Sequence, residues 1–389
     1  MKTAQMTAQM TAQMTAQMTA QTTRPNRNRE MKILVCASYL HAWNSLRPEA
    51  AIFIELARQG HQVTIMTQGE SEHVSKLEEC GIRVVDGYPK RKVCFDTIKK
   101  IRHELKTHDY DICYAFNSKT IPNAAFACIG FNVKLVVYRG TTGGLYRHDP
   151  SAYLTQLHPR VDGIVCVSEA VRQDVVKRVW KNKDNVVTIY KGHELDWYKV
   201  PPTERSEFGL NEDDVVAITA AHVRPSKGIS VLLEATKYIT APNFHLILAG
   251  SGYEPHFDEM KASPMSERIH YIGHRTDIPS IMCMADFQVQ PSISGEGLPR
   301  TIVEAMANGT TSVVTTTGGA PELVVDGETG YIVPTGDAKA LGEAMDKLAQ
   351  DKAKCTTMSE AAKKRLDESF SSRVTVKKHL EFFEKLLKQ

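Results

Sequence analysis

The sequence has 389 residues, of which 42% are hydrophobic and 24% are charged, and its formal net charge is +3. This composition is typical of a globular protein with enough chain for two domains, and it excludes a fibrous or wholly disordered chain. No apolar run approaches the roughly 20 residues that a membrane-spanning helix needs, and the amino terminus lacks the apolar core of a signal peptide. We therefore expect a cytoplasmic protein.

The first 30 residues differ in character from the rest of the chain. The tetrapeptide T-A-Q-M repeats between residues 3 and 21, and a basic segment, TTRPNRNRE, follows it. This stretch has too little apolar content to pack a core, so we expect residues 1–30 to be a disordered extension and the fold to begin at Met31. An upstream alternative start or a cloning remnant would explain the repeats equally well.

The next part, residues 31–198, alternates short apolar strands with amphipathic helices. This pattern is typical of a parallel sheet that is covered by helices on both faces. The candidate strands are 32–37, 62–67, 82–86, 111–115, 133–137, 162–167 and 186–190. We interpret this part as the N-terminal, acceptor-side domain.

A second series of strands and helices follows a polar linker at residues 199–214. Its candidate strands are 215–221, 244–250, 268–273, 286–292 and 311–317, and its clearest helix is at 226–239. The sequence thus predicts an α/β protein with two Rossmann-like, doubly wound domains, the second at 215–368. We expect a C-terminal helix in residues 369–389 to pack back on the first domain. In such folds ligands bind beyond the carboxyl ends of the strands, so the crevice between the domains is the expected site.

Charge is distributed unevenly between the two halves. Residues 31–199 carry 24 Lys and Arg against 18 Asp and Glu, a balance of +6, whereas residues 200–389 carry 20 against 26, a balance of −6. The basic half suggests an anionic partner, such as a membrane surface or an acidic acceptor, although ordinary scatter of solvated charge explains it as well. Within the basic stretch 90–106, a stripe of Ile98, Ile101 and Leu105 could lie on an anionic membrane or pack on the sheet.

The sequence offers little support for a metal site. Its eight cysteines form no C-x-x-C pair, and its fourteen histidines form no H-x-x-x-H pair on one helix. The segment DYD (109–111) has the D-x-D pattern with which another transferase fold holds a metal, but it stands at the entry to a strand. We expect no metal and no cofactor, and we expect the cysteines to be reduced and mostly buried.

Three segments of the second half resemble a known family. PSISGEGLPRTIVEAMANG (291–309) places Glu296 and Glu304 eight positions apart, after a strand and across the start of a helix. This E-x7-E arrangement resembles the signature of glycosyltransferase family 4, a group of retaining enzymes with the GT-B fold. VRPSKGISVLLEA (223–235) looks like the family's phosphate-binding strand, loop and helix, and TTTGGAPELVVDGETGYIVP (315–334) is similar to the stretch that follows its E-x7-E. The resemblance extends over nearly all of the chain after the extension.

The resemblance implies a donor site in the second domain, where a departing diphosphate must be stabilised. Arg224, Lys227 and Glu296 are the candidate catalytic residues: the two cations would meet the phosphates, and Glu296 would face the donor sugar. Glu304 would accept hydrogen bonds from the ribose hydroxyls. The other candidate donor-binding residues are Gly250, Gly252, His274, Arg275, Gly297, Leu298 and Pro299. Arg224 and Lys227 could instead be solvated at a helix start, and Glu304 could be a solvated helix carboxylate.

The first domain departs from the family pattern at two places. Family members commonly have a Gly pair after the first strand, whereas HAWNSLRPE (41–49) stands here, and Asn44 is a candidate for contact with donor or acceptor. A histidine often follows the fifth strand, but here the strand ends in YRGTTGG (138–144). Arg139, Gly140 and Thr141 are therefore further candidates, with a structural role for Arg139 as the alternative. In the second domain, His222 stands at the usual arginine position, five residues before Lys227.

The predicted activity is transfer of a hexose-type sugar from a nucleotide diphosphate donor to a glycan or glycolipid acceptor, with retention of configuration. Because members of the family often act there, the resemblance suggests bacterial lipopolysaccharide or capsule synthesis as the pathway. Peripheral contact with the inner face of the membrane would be compatible with that pathway. The alternatives are another GT-B enzyme, such as a sugar-nucleotide epimerase, or a non-catalytic partner subunit. A dinucleotide-dependent oxidoreductase is disfavoured because neither domain has G-x-G-x-x-G after its first strand. No nucleic-acid partner is expected.

Overall fold

The structure, a computed structural model, describes residues 29–389. The T-A-Q-M repeats, and with them the predicted disordered extension up to residue 28, lie outside the described residues. Within the described part, two separate sheets of parallel strands are each covered by helices. The predicted α/β class with two Rossmann-like domains is therefore confirmed.

The first sheet has seven described strands in the order β3-β2-β1-β4-β5-β6-β7. They are Lys32–Cys36 (β1), Gln62–Thr67 (β2), Arg83–Asp86 (β3), Ile112–Ala115 (β4), Lys134–Arg139 (β5), Gly163–Cys166 (β6) and Val186–Thr188 (β7). Most of their residues are buried on both faces of the sheet, which explains why they appear in the sequence as continuous apolar runs. The strand order reverses between β1 and β4.

The second sheet has six described strands in the order β10-β9-β8-β11-β12-β13. They are Val215–His222 (β8), Phe244–Ser251 (β9), Ile269–Gly273 (β10), Phe287–Gln290 (β11), Thr311–Thr315 (β12) and Gly330–Val333 (β13). The strand order reverses between β8 and β11, which makes the carboxyl ends of these two strands the expected ligand position in this domain.

Helices cover both sheets. Those of the first half are Trp43–Arg58 (α1), Val74–Glu79 (α2), Phe95–His108 (α3), Thr120–Ala127 (α4) and Glu169–Val176 (α5). Those of the second half are Ile229–Ala235 (α6), Phe257–Ala262 (α7), Ile278–Met284 (α8), Arg300–Asn308 (α9), Ala320–Leu323 (α10), Ala338–Ala349 (α11), Lys352–Phe370 (α12) and Ser372–Leu387 (α13). None of the helices within residues 29–389 combines the length and the apolar character that crossing a bilayer requires.

The last helix returns to the first sheet. Val376, Leu380 and Phe383 of α13 are buried in the same apolar cluster as Ile33 of β1 and Phe53 of α1. Burial of a large apolar side chain stabilises a fold by about 1.5–3 kcal/mol. The chain therefore crosses between the two sheets twice, once through residues 199–214 and once between α12 and α13.

Three expectations about individual elements were wrong or incomplete. The helix expected at 226–239 is divided, because Gly228 adopts a left-handed φ of +68° between a 3₁₀ turn and α6, and α6 ends at Ala235. Strand β13, a four-residue edge strand that pairs only with β12, was not predicted; it begins with Gly330, a residue that strands disfavour. The stripe of Ile98, Ile101 and Leu105 packs into the core beneath α3, so it is not available to a membrane.

The cysteines follow the prediction. All eight are free, and five of them are buried: Cys36, Cys113, Cys128, Cys166 and Cys355. Burial raises the pKa of the Cys166 and Cys355 thiols to about 12. These two side chains therefore stay protonated at neutral pH and act as small apolar residues.

Candidate donor site

Lys227 and Glu296 meet at the point where the strand order of the second sheet reverses. Lys227 lies in the loop after β8, and Glu296 lies in the loop between β11 and α9. Lys227 Nζ donates a hydrogen bond of 2.6 Å to Glu296 Oε1. The Glu296 side chain is 10% exposed and that of Lys227 is 24% exposed, so solvent screens this ion pair only partly. Two of the three candidate catalytic residues are thus brought together.

The Glu296 carboxylate is fixed by neutral donors as well. Ser292 Oγ donates to Glu296 Oε1 at 2.6 Å, and Gln290 Nε2 donates to the same oxygen at 3.2 Å. Gln290 in turn accepts a hydrogen bond of 2.8 Å from Thr301 Oγ1, at the start of α9. Within residues 29–389 all of these bonds reach Oε1, so Oε2 remains available to accept from a ligand.

The loop that carries Lys227 packs closely against its neighbour. A Cβ atom at Gly228 would overlap the carbonyl oxygen of Pro291, and the residue has a positive φ, so only glycine fits there. This contact holds the loop that carries Lys227 against the segment that leads from β11 to Glu296. The loop geometry therefore fixes the distance between the two charged side chains.

Glu304 lies on α9, one helical turn after Arg300. Its residue is 8% exposed, and the side chain that pairs with it within the described part of the chain is Arg300, whose Nε lies 3.0 Å from Glu304 Oε1. Burial raises the pKa of the Glu304 carboxyl, and Arg300 opposes that shift. A buried carboxylate is costly unless it is paired and hydrogen-bonded, and Arg300 is half-exposed. Hydrogen-bond donors of a ligand would therefore stabilise the ionised form of Glu304.

Arg224 and the other candidate donor-binding residues have different surroundings. Arg224 is exposed and makes no side-chain ion pair within residues 29–389. Gly250 lies within β9 against the carbonyl oxygen of Ala221, Gly252 follows β9 beside Val223, and His274 is exposed. Arg275 pairs with Glu207 at 2.8 Å and with Asp277 at 2.6 Å, so its charge is already compensated within the protein.

Gly297 brings the donor site against the first domain. A Cβ atom at Gly297 would overlap the carbonyl oxygen of Gly140, so the backbones of the two domains touch at this point. The next residue, Leu298, packs against the cores of both halves, and Pro299 is buried immediately before α9. The loop that carries Glu296 is therefore part of the contact between the domains.

Of the candidate residues in the first domain, Gly140 contacts Gly297, and Arg139 and Thr141 belong to the same segment at the end of β5. Arg139 donates to the carbonyl oxygens of Thr141, at 3.0 Å, and of Gly143, so it holds the loop after β5 in place. Burial lowers the pKa of its guanidinium, and Asp174 opposes that shift. Asn44 lies exposed in the first turn of α1.

Sequence reasoning missed a second contact between the domains. Glu322 of α10 accepts hydrogen bonds from the backbone nitrogens of Glu169, at 2.7 Å, and Ala170, at 2.8 Å, which form the amino terminus of α5. Tyr190 Oη donates to the same carboxylate at 3.0 Å. A carboxylate at a helix amino terminus is favoured by both hydrogen bonding and the helix dipole. Glu322 thus holds the two halves together beside the candidate site.

The described residues contain no group of three or more His, Cys, Asp or Glu side chains that could hold a metal ion. Of the D-x-D segment, Asp111 accepts hydrogen bonds from Arg29 Nη2 and from the Lys32 backbone nitrogen, each at 2.8 Å. This segment lies at the amino-terminal edge of the first sheet, away from the crevice. The carboxylate is therefore used to fix the start of β1.

Two parallel sheets with a charged crevice at the second switch point define a protein of the GT-B glycosyltransferase fold. Two family models match the chain: Glycosyltransferase Family 4 over residues 51–197 and Glycosyl transferases group 1 over residues 201–365. The chain therefore belongs to the group 1 glycosyltransferases of glycosyltransferase family 4. This confirms the family that the E-x7-E segment suggested.

Individual relatives are distant. The chain is 24% identical over 348 residues to N-acetyl-alpha-D-glucosaminyl L-malate synthase of Bacillus anthracis, covering 84% of this chain and 89% of that protein. It is 27% identical over 212 residues to the lipopolysaccharide core biosynthesis glycosyltransferase LpsE of Rhizobium meliloti, covering 54% and 60%. The solved structure of Anabaena HepE in complex with UDP matches with a TM-score of 0.75 and 20% identity, over 91% of this chain and 100% of that one.

Proposed function

We propose that this chain is a retaining, metal-independent glycosyltransferase that moves a hexose-type sugar from a nucleoside diphosphate donor to a glycan or glycolipid acceptor. The observation that carries the proposal is the Lys227–Glu296 pair, with its 2.6 Å contact at the switch point of the second sheet. A fixed cation beside a fixed carboxylate, at the position where doubly wound domains bind ligands, suits a diphosphate with a sugar attached.

The charges suggest a role for each residue. As the bond between the anomeric carbon and the diphosphate oxygen breaks, negative charge grows on that oxygen and positive charge grows on the sugar ring. Lys227, together with the exposed Arg224, would stabilise the departing diphosphate. Glu296, fixed through Oε1, would orient the sugar with its second oxygen. The buried Glu304 would accept hydrogen bonds from the ribose hydroxyls.

Retention of configuration requires that the acceptor attacks from the face that the diphosphate leaves. In the proposed step the acceptor oxygen forms a bond with the anomeric carbon while the bond to the diphosphate oxygen breaks. The acceptor proton passes to an oxygen of the departing diphosphate. Such a step needs no enzymic nucleophile, and it is compatible with a site whose fixed groups are a paired cation and carboxylate.

The distant relatives suggest donor and acceptor classes. HepE was solved with UDP, which favours a uridine donor as the first choice. One relative is named for a sugar transfer to malate and another for lipopolysaccharide core synthesis, so small hydroxy acids and cell-envelope glycans are both acceptor classes to test. A sugar-nucleotide epimerase or a non-catalytic subunit of the same fold remains the alternative.

The test begins with a thermal-shift screen against UDP, GDP, ADP and CMP sugars, because a ligand that binds the native state raises its melting temperature. Proton NMR of the first product from an α-linked donor then reads the stereochemistry. We expect an α-linked product, and we expect Lys227→Ala to abolish most of the turnover while Lys237→Ala, on an exposed turn, leaves it unchanged. A β-linked product would overturn retention, nucleotide release without any acceptor product would favour the epimerase, and no nucleotide release at all would favour the non-catalytic subunit.

A separate observation supports peripheral contact with an anionic membrane in the cytoplasm. Arg91, Lys99 and Lys100 are exposed on and before α3, and Phe95 beside them is 76% exposed. Basic residues around an exposed aromatic ring suit the interface of an anionic bilayer. In flotation with anionic liposomes, we expect binding at low salt that added salt and Phe95→Ala both weaken; salt-independent binding or no binding would contradict it.

A further inference from the structure

A cavity of about 240 Å³ opens at the carboxyl ends of β4 and β5, in the first domain. Its lining includes Gly140, whose carbonyl oxygen touches the backbone at Gly297, next to Glu296. The cavity therefore borders the loop that carries the proposed sugar-orienting carboxylate. A molecule seated in it would lie next to that loop.

The floor of the cavity is apolar. The rings of Phe116 and Tyr138 stack with their centroids 5.3 Å apart and an interplanar angle of 27°. Ile121 and Ala152 complete this surface. A volume of about 240 Å³ over such a floor accommodates a small polyol or one terminal group of a larger molecule, and it excludes a long oligosaccharide from the cavity itself.

The rim of the cavity is cationic and rich in hydrogen-bond donors. None of the described residues that line it carries a carboxylate, whereas Lys92 and Arg139 carry positive charge. Within residues 29–389 the Lys92 ammonium and the Ser118 hydroxyl have no hydrogen-bond partner. Two acids act on these cations: Asp174 opposes the lowering of the pKa of Arg139 by burial, and Asp149 has its own pKa lowered by hydrogen bonds from Ser151 and by Lys92. Both Asp149 oxygens already accept from Ser151.

Asn117 adds a donor of fixed orientation. Its Oδ1 accepts from the backbone nitrogens of Lys119, at 3.1 Å, and Thr120, at 3.0 Å, at the start of α4. These bonds assign Oδ1 to the helix and leave Nδ2 without a partner in the described chain. A free amide N–H, a free hydroxyl and a free ammonium on one rim, with no carboxylate among the lining residues, are the groups that recognise an anion.

We propose that this cavity binds the acceptor through an anionic group, a carboxylate or a phosphate, carried close to the hydroxyl that receives the sugar. The inference rests on the proposed transferase function and adds the acceptor's chemical class to it. Lys92 and the Asn117 amide nitrogen hold the anionic group, and the stacked rings carry the adjoining carbon skeleton. The acceptor hydroxyl then faces the sugar beside Gly297.

Calorimetric titration of the whole chain tests the proposal. The probes are malate against butane-1,2,4-triol, glycerol 3-phosphate against glycerol, and vesicles of phosphatidylcholine with or without phosphatidylglycerol. We expect at least one anionic probe to bind at least about tenfold more tightly than its uncharged counterpart, as charge-assisted hydrogen bonds require. The three arms separate a carboxylate, a free phosphate and a lipid headgroup as the source of the anion. Equal affinity within all three pairs would overturn the proposal.

Two variants localise the binding. Asn117→Asp keeps the oxygen that caps α4 but replaces the free N–H group by a second carboxylate oxygen, so anion binding should fall by about tenfold or more. Lys92→Gln should weaken it by a smaller factor, because Lys92 is exposed. Lys237→Gln, which removes an exposed charge from the second domain, far from the cavity lining and from α3, should leave it unchanged.

UDP binding, measured in the same variants, tests the proposed donor site separately from the proposed anion cavity. If anions bind and Asn117→Asp abolishes that binding while UDP does not bind, the proposal of a uridine donor is wrong and the cavity assignment is supported. If UDP binds and anion affinity is the same in wild type, Asn117→Asp and Lys237→Gln, the proposed donor site stands and the cavity assignment is wrong.

Discussion

Replacing the buried carboxylate of Glu304 by an amide separates a ligand-binding role from a structural one. Glu304→Gln keeps the volume of the side chain and removes its charge. Hydrogen bonds to a charged group contribute about 1.5–3 kcal/mol, so loss of the charge should raise the donor dissociation constant by about 10- to 150-fold. This loss corresponds to the free energy of donor binding that the proposed hydrogen bonds from the ribose hydroxyls to Glu304 would contribute.

The same substitution should not destabilise the fold. Burial raises the pKa of Glu304, so the folded state disfavours the ionised form. A carboxyl with a raised folded pKa contributes stability below its unfolded pKa and loses that contribution as the pH rises through the folded pKa. At pH 7 the ionised carboxylate therefore costs stability, and the amide removes that cost. The pair with Arg300, whose side chain is 52% exposed, offsets at most about 1 kcal/mol of this.

Calorimetric titration with the donor, together with thermal unfolding at pH 7, measures both effects. Glu368→Gln is the matched control, because Glu368 is an exposed carboxylate on α12 with its own partner four residues away, Lys364. We expect weaker donor binding and an unchanged or higher melting temperature for Glu304→Gln, and neither change for the control. Unchanged donor binding would return Glu304 to a structural role, and a clearly lower melting temperature would mean that the Arg300 pair stabilises α9.

Three further predictions follow from the charged groups. Lys227→Ala should lower turnover by about 10²–10³ and Arg224→Ala by less, whereas EDTA should leave wild-type turnover unchanged; loss of activity on chelation that magnesium restores would contradict a metal-independent site. Glu322→Gln should weaken the contact between the domains, so small-angle X-ray scattering of the unliganded chain should give a larger radius of gyration, and an identical radius would refute a latching role. Burial lowers the pKa of His379 to about 4 and that of His193 to about 3, so the native state binds fewer protons than the unfolded chain below pH 6.5. In urea unfolding, the free energy of unfolding should therefore decrease as the pH is lowered, by up to about 1.4 kcal/mol per pH unit for each histidine. A urea midpoint that does not change between pH 7 and 5 would reject this.

Most strands could be predicted from the sequence because strands buried on both faces are continuous apolar runs. Val215–His222 and Phe244–Ser251 were expected to within one residue at each end. Strand β13 was missed because it begins with Gly330, which strands disfavour, so only residues 331–333 carried a strand signal. The division of the helix at Gly228 could not be inferred from periodicity: its left-handed φ interrupts the helix, and the carbonyl of Pro291, 63 residues later, leaves no room for a side chain there.

The candidate site could be predicted only one residue at a time. The sequence indicates that Lys227 and Glu296 each follow a strand, but their contact depends on β8 and β11 being neighbours, which is a property of the sheet order. Arg275 carried the same signal as Lys227, a cation after a strand, yet Glu207 and Asp277 compensate its charge. The pattern of strands and helices in the sequence does not show which cation is paired with an acidic side chain.

If both proposed sites bind as inferred, the two contacts between the domains should connect donor binding with acceptor binding. Gly297 follows the carboxylate that would orient the sugar, and the Gly140 that it touches lines the proposed anion cavity. Glu322 accepts from α5 a few residues beyond β6, so the same surfaces meet at a second point. Any separation of the domains therefore opens both sites together. A ligand that binds one site and favours the closed arrangement must then raise the affinity of the other site, and the factor is the same whichever ligand binds first. Because the effect is reciprocal, UDP should tighten the binding of the anionic probe as much as that probe tightens UDP, and Glu322→Gln should reduce both by equal amounts.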